Sequence, residues 1–147
     1  MARLDRVRLQ SGAYVHHCEI ATRASDLDVQ HHINNVAVAD IIQEGRARFF
    51  HASTLTELLR GRAVVVASIL IDYANELRHP APVHMQVGVM EIGRTSFVLA
   101  QIASQGGMIG AFAETVVALR ENGAAAPLGE DFRAILENYR IDAAPRA

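Results

Sequence analysis

The stretch from Ala24 to Phe50, ASDLDVQHHINNVAVADIIQEGRARFF, decides the fold of this chain. Apolar residues in its second half recur on one face at helical spacing, which predicts a helix over residues 36–51. The residues on that face are Val38, Ile42, Gly45 and Phe49. Asn34 or Asn35 is a suitable N-cap for this helix. The unpaired amides at the helix start would then lie beside Asp28 and His32, as in a hydrolytic site.

The rest of the chain predicts strands on both sides of this helix. One strand precedes it over residues 14–22, and four follow it over 63–77, 83–89, 95–104 and 108–120. The run 63–77 is rich in β-branched residues, so we expect a well-buried strand there. Residues 1–11 read as a loose arm, 122–129 as a linker, and 130–140 as a short amphipathic helix. The order predicts an α+β fold in which an antiparallel sheet covers one apolar helix.

Composition narrows the class of protein. The chain has 147 residues, half of them apolar, and this fits one compact domain over 1–147. Its net charge is -2, and no basic patch interleaves with aromatic residues, so we expect no nucleic acid partner. The longest apolar run is too short to span a bilayer and the N-terminus lacks a signal peptide, so a cytoplasmic protein is expected. Cys18 is the only cysteine, which excludes an internal disulfide.

The loop and helix together resemble a known family. Residues 26–35 have the pattern DxDxxxHxNN, and the helix that follows carries Glu44-Gly45-Arg46. This combination resembles hotdog-fold thioesterases of the 4-hydroxybenzoyl-CoA thioesterase-like group, which cleave acyl-CoA or acyl-acyl-carrier-protein thioesters. The resemblance implies a five-stranded antiparallel sheet wrapped around the long helix. It also implies sites formed between subunits, so a homodimer or homotetramer is expected.

The resemblance assigns roles to particular residues. Asp28 would activate water or attack the thioester carbonyl, and the amide of Asn35 would polarise that carbonyl. His32 would orient the carboxylate or the water, while Glu44 and Asp72 are further catalytic candidates. Asp28 could equally be a loop aspartate that accepts hydrogen bonds from nearby amides in an Asx turn. The substrate-binding candidates are Gln30 and Asn34 together with Arg78, Arg94 and Arg120, whose charges suit the phosphates of coenzyme A.

Other interpretations of the same residues remain open. His31 and His32 could join one of His16 and His17 in a zinc site, but adjacent strand residues point to opposite faces. We therefore expect no metal and no cofactor. A hotdog hydratase or dehydratase acting through a histidine, and a non-catalytic acyl-thioester binding domain, are the alternatives to an acyl-CoA thioesterase.

Overall fold

The structure is a computed structural model that describes residues 4–142. A long helix packs on the concave face of a curled antiparallel sheet whose strand order is β1-β3-β4-β5-β2, the hotdog arrangement expected from the sequence. The helices are α1 (Arg6–Ser11), α2 (Asn35–Ala52) and α3 (Glu130–Asn138), with 3₁₀ turns at Ala24–Asp26 and Leu55–Leu58. The strands are β1 (His16–Ile20), β2 (Ala63–Tyr73), β3 (Val83–Ile92), β4 (Ser96–Gln105), β5 (Met108–Glu121) and the two-residue β6 (Ala124–Ala125), which pairs with β5.

The central helix α2 forms where its apolar period and its N-cap predict. The Asn34 side chain accepts a hydrogen bond of 2.8 Å from the Ala37 amide, which fixes the first turn. The predicted apolar face is buried against the inner face of the sheet. Gly45 lies where the helix approaches the sheet closely, because a Cβ atom there would come within 2.6 Å of Met85 Cγ. The absence of a side chain at Gly45 therefore permits the close packing of α2 on the sheet.

The N-terminal segment differs from the predicted loose arm. Residues 6–11 form the helix α1, capped by the Asp5 side chain, which accepts from the Arg8 amide at 3.0 Å. Leu9 is fully buried with Phe112 in a second apolar cluster on the outer face of the sheet, opposite α2. The segment is mostly charged or polar and its few apolar residues do not recur at helical spacing, so the sequence did not predict this helix. The first three residues of the predicted arm lie outside the described residues.

The strand β2 was predicted to be well buried, and this is wrong for the chain in isolation. β2 is an edge strand that pairs with β5, and within residues 4–142 no strand lies on its other side. Val66 and Tyr73 are each 46% exposed and Ile69 is 42% exposed. The strand also ends at Tyr73, so residues 74–77 leave the sheet. Apolar composition predicts an apolar environment, but it does not say which molecule supplies it.

Candidate active site

A cavity of about 290 Å³ opens at the N-terminal end of α2. Its walls are the loop that precedes α2, the first turn of the helix and the segment that follows β2. Two residues predicted to carry the chemistry, Asp28 and Asn35, both line it, as do His32 and Gln30. The remaining lining residues are Ile33, Val38, Tyr73, Ala74, Asn75, Glu76 and Leu77. The structure therefore brings the polar loop and the helix start together around one space.

Asp28 closes the loop and presents a carboxylate to this cavity. Its Oδ1 atom accepts hydrogen bonds from the amides of Gln30 at 2.9 Å and His32 at 3.0 Å, which is the Asx-type turn that the sequence left open. Within residues 4–142, Oδ2 has no such donor. The His32 amide, followed by the Gln30 amide, lowers the pKa of Asp28 below its usual value. The exposed carboxylate is thus ionised at neutral pH.

The start of α2 supplies donors on the opposite wall. The Asn34 amide and its Nδ2 atom both donate to the Asp26 carbonyl, at 2.9 and 2.8 Å. Because its Oδ1 atom caps Ala37, the Asn34 side chain is committed to the fold and is not directed at a substrate. The amides of Asn35 and Val36 have no acceptor in the described part of the chain. They are the helix-start donors that an oxyanion would need.

A histidine–carboxylate pair joins the two walls of the cavity. His32 Nε2 lies 2.9 Å from Glu76 Oε2, and the His32 side chain is mostly buried. Arg78 extends the pair, with its NH2 atom 3.7 Å from the same Glu76 oxygen. The predicted substrate residue Arg78 therefore stands close to the cavity, while its guanidinium remains largely exposed.

Sequence reasoning missed three polar residues of this site. Tyr73 donates a hydrogen bond of 3.1 Å from its hydroxyl to the Asn35 carbonyl, and Asn75 Nδ2 donates to the Ile109 carbonyl at 2.8 Å. Glu76 is the third, through its contact with His32. The prediction of one continuous strand over residues 63–77 hid all three. The change from an apolar run to Tyr73-Ala74-Asn75-Glu76 was the available signal that the strand ends and a polar wall begins.

Two catalytic candidates lie away from this cavity. Glu44 pairs with Arg48 at 3.0 Å and lines a separate hollow of about 230 Å³ farther along α2. Asp72 stands opposite Phe112 in the β2–β5 register, so its side chain is on the outer face of the sheet. There Arg6 Nε donates to it at 2.6 Å. The expectation that Asp72 lies near the site is wrong within one chain, because strand alternation turns it away from α2.

Two of the proposed phosphate-binding arginines are also distant within one chain. Arg94 follows β3, and Arg120 pairs with Ala63 at the start of β2, whereas the cavity adjoins the end of β2 at Tyr73. The length of β2 therefore separates Arg120 from Tyr73, by roughly 30 Å at the rise of an extended strand.

The remaining charges of the motif stabilise the loop and the helix. Arg23 donates two hydrogen bonds to the buried Asp26 carboxylate, at 2.8 and 3.0 Å. Arg46 is buried and contacts the sheet through Gln101 and Thr115, both at 3.4 Å. Burial lowers the pKa of Arg46.

A wider groove of about 650 Å³ lies on the other side of the helix start. Asn35 lines both this groove and the smaller cavity, so a molecule that follows the first turn of α2 could contact both. The groove also exposes the apolar side chain of Val36, which is 80% accessible. Asp28 lines the smaller cavity and not the groove.

The histidines considered for zinc are not brought together. His16 contacts Phe49 on the inner side of β1, whereas His17 points outward, and His32 is engaged with Glu76. No three His, Cys, Asp or Glu side chains within residues 4–142 are grouped to hold a metal ion. None of the helices in the same range combines the length and the apolar character needed to cross a membrane.

Comparison with known proteins identifies the class. A family model for the thioesterase-like superfamily matches residues 22–136, and the chain therefore belongs to this superfamily. A search of curated proteins found no match.

Solved structures agree with this assignment. A predicted thioesterase from Bacillus stearothermophilus is 27% identical, with a TM-score of 0.76 over 84% of this chain and 95% of that one. A thioesterase from Thermus thermophilus, solved with coenzyme A and zinc, is 26% identical, with a TM-score of 0.75 over 84% and 92%. A Pseudomonas aeruginosa protein shares the fold at 21% identity, with a TM-score of 0.78 over 88% and 94%.

Proposed function

We propose that this protein hydrolyses acyl thioesters, most readily those of coenzyme A, to a free acid and a thiol. The observation that carries the proposal is that Asp28 and Asn35, whose amide has no acceptor in the described part of the chain, line one cavity. Hydrolysis of a thioester requires an acid–base or nucleophilic group and donors for the oxyanion, and this cavity offers both. Membership of the thioesterase-like superfamily supports the reaction class.

In this mechanism the thioester carbonyl docks on the first turn of α2, with its oxygen at the Asn35 amide. The partial positive charge of the helix start stabilises the negative charge that develops on that oxygen. Asp28 either takes a proton from the attacking water or attacks the carbonyl itself to form an anhydride that water then cleaves. Both routes require the carboxylate form, which the lowered pKa of Asp28 maintains.

The pair formed by His32 and Glu76 has a supporting role in this mechanism. Since Glu76 contacts His32 Nε2, the imidazole has a fixed direction at the wall of the cavity. The amide of the same residue donates to Asp28, so the position of His32 also sets the position of the carboxylate. We infer that His32 orients Asp28, or the water that Asp28 activates.

The coenzyme A part of the proposal rests on two supports. The Thermus thermophilus thioesterase of the same fold was solved with coenzyme A. In this chain, Arg78 extends a largely exposed guanidinium beside the cavity, and a guanidinium is suited to phosphate.

We further propose that the working form is a homodimer joined at β2, or a homotetramer built from such dimers. An edge strand with an open ladder and apolar side chains on both faces pairs readily with another chain. Tyr73 lies at the end of this strand and also lines the cavity, so a partner on β2 would stand beside the site. A partner would also bring its own strand ends near the cavity, and with them its Arg94 and Arg120 equivalents.

The experiment is a thiol-release assay with the full chain and a panel of acyl-CoA esters of different length, including an aromatic acyl group. Release of free thiol in step with loss of the ester supports the proposal. If an acyl-acyl-carrier-protein substrate is turned over much faster than every acyl-CoA, the carrier protein replaces coenzyme A in the proposal. Loss of an enoyl thioester without thiol release would replace the proposal by a hydratase. Binding of acyl-CoA in a thermal shift, with no turnover of any ester, would replace it by a binding domain.

A further inference from the structure

A second polar cluster lies on the outer face of the sheet, away from the cavity. It joins β1 to its neighbour β3, where Glu19 stands directly opposite His84 and His17 stands opposite Gln86. His16 packs on Phe49 of α2, so the alternation of the strand turns His17 and Glu19 to the other face. The cluster is therefore separated from the α2 side of the sheet, where Asp28 lies, by the sheet itself.

The two histidine rings of this cluster face each other. His17 Nδ1 lies 3.0 Å from His84 Nε2, with the ring centroids 5.1 Å apart. The other nitrogen of each ring contacts an oxygen atom: His17 Nε2 is 2.8 Å from the Tyr14 carbonyl, and His84 Nδ1 is 3.1 Å from Glu19 Oε1. Every ring nitrogen thus has a specific partner.

These contacts fix where the ring hydrogens lie. A carbonyl oxygen only accepts, so His17 Nε2 carries a hydrogen and donates it to Tyr14. An ionised carboxylate also only accepts, so His84 Nδ1 donates to Glu19. When both rings are neutral, the lone pairs of His17 Nδ1 and His84 Nε2 are directed at the same space. At most one proton can lie between these two nitrogens.

We propose that this pair binds a divalent transition-metal ion of the zinc class, with His17 Nδ1 and His84 Nε2 as its two protein ligands. Zinc–nitrogen bonds of about 2.0–2.1 Å in a tetrahedral arrangement place two ligand nitrogens roughly 3.3 Å apart. The rings therefore need to separate by only a few tenths of an ångström from the spacing in the structure. The metal binds the two lone pairs, and when a proton lies between the nitrogens the metal displaces it to water.

The surroundings of the pair match those of metal-binding histidines. Such histidines usually donate their second ring N–H to a carboxylate or a backbone carbonyl, which sets the tautomer and the direction of the ring. Here Glu19 supplies the carboxylate and Tyr14 supplies the carbonyl. Imidazole nitrogens favour zinc, copper and nickel over magnesium or calcium. Both rings reach the surface, so water completes the coordination of the metal. The bound metal would then cross-link the edge strand β1 to β3.

The test is a calorimetric titration of the full chain with Zn²⁺ after treatment with a chelator. His17→Ala and His84→Ala are each compared with His51→Ala, which removes an exposed histidine of α2. We expect His17→Ala and His84→Ala each to bind one Zn²⁺ ion per chain fewer than wild type. His51→Ala should bind the same number as wild type. Glu19→Gln should weaken zinc binding at this site by roughly tenfold to a hundredfold, because it removes the carboxylate that orients His84. A titration with Mg²⁺ should show no binding at this site.

Circular dichroism shows whether each variant is folded, and His17→Gln and His84→Gln serve as a second pair. Thiol release by the chelator-treated chain should be unchanged in all of these variants, which separates this site from the cavity. The proposal is overturned if wild type binds no zinc. It is also overturned if zinc binding survives unchanged in either His17→Ala or His84→Ala.

Discussion

His32 Nε2 and Glu76 Oε2 lie 2.9 Å apart and join the loop before α2 to the segment after β2. The contact closes one side of the proposed site, and the amide of the same histidine donates to Asp28. The direction of the proposed catalytic carboxylate is thereby linked to a residue more than forty positions later in the chain.

Replacing Glu76 by Ala should reduce thioester hydrolysis with little loss of stability. Removal of the carboxylate frees His32 and loosens the wall of the cavity. Because the Glu76 side chain is 58% exposed, solvent screens the pair and its contribution to stability is small. We expect kcat/KM to fall roughly tenfold or more. The control is Glu137→Ala, which removes an exposed carboxylate paired with Arg140 on α3. Equal activity of the two variants would contradict a role for the pair.

A charge placed in β2 should separate the proposed dimer. Ile69→Glu introduces a carboxylate on an apolar edge strand, where burial by a partner would leave it unpaired. Analytical ultracentrifugation should show a monomer, and thiol release should fall with it if the site needs both chains. Val15→Glu is the matched control, because Val15 is an exposed apolar residue just before β1, at the opposite edge of the sheet. A dimer that persists in Ile69→Glu would refute the assignment of β2.

Gly45→Ala should destabilise the fold even though alanine is the better helix former. Alanine favours a helix by about 1 kcal/mol over glycine. The added Cβ, however, would lie 2.6 Å from Met85 Cγ and 3.1 Å from Gln101 Nε2 in a packed interior. Overpacking of this kind costs about 1–3 kcal/mol, so urea unfolding should show a net loss of roughly 1 kcal/mol. A gain in the free energy of unfolding would show that α2 does not approach the sheet so closely.

His16 should make the fold less stable in mild acid. Burial, followed by the charge of His17, lowers the pKa of His16, and its Nε2 atom has no hydrogen-bond partner in the described chain. The unfolded chain takes up a proton near pH 6.5 while the folded chain resists it, so stability falls as the pH drops through that value toward the lower folded pKa. The substitution His16→Leu should remove this loss of stability at low pH.

Urea unfolding of wild type and His16→Leu at pH 8 and pH 5.5 measures the effect. The free energy of unfolding of the variant, relative to wild type, should be greater at the lower pH. His51→Leu, at an exposed helical position, should show no comparable change. A relative stability of His16→Leu that is the same at both pH values would contradict the prediction.

Local signals in the sequence predicted the parts of the fold that depend on neighbours along the chain. The apolar period and the N-cap that predict α2 lie within the helix itself or next to it. The hairpins that join β3, β4 and β5 follow from the alternation of apolar and polar residues and from glycines at the turns. The loop at Asp28 was predictable for the same reason, because its hydrogen bonds to Gln30 and His32 are local.

Features that depend on distant partners were not predictable in this way. The position of β2 at the edge of the sheet follows from strand order, and its apolar residues look the same in a core or in an interface. Asp72 belongs to the outer face because of its register with Phe112. Glu76 enters the site only because β2 ends at Tyr73, which brings the following residues against His32.

The most direct measurement of the central claim compares thiol release by Asp28→Asn and Asp72→Asn with that of wild type. Asparagine at position 28 can still accept the hydrogen bonds from the Gln30 and His32 amides, so the loop is kept while the charge is removed. Loss of a group that transfers protons or attacks the carbonyl should lower kcat/KM roughly 10²–10⁴-fold, whereas Asp72→Asn, on the outer face with Arg6, should remain near wild type. An Asp28→Asn variant that releases thiol at the wild-type rate would contradict the account.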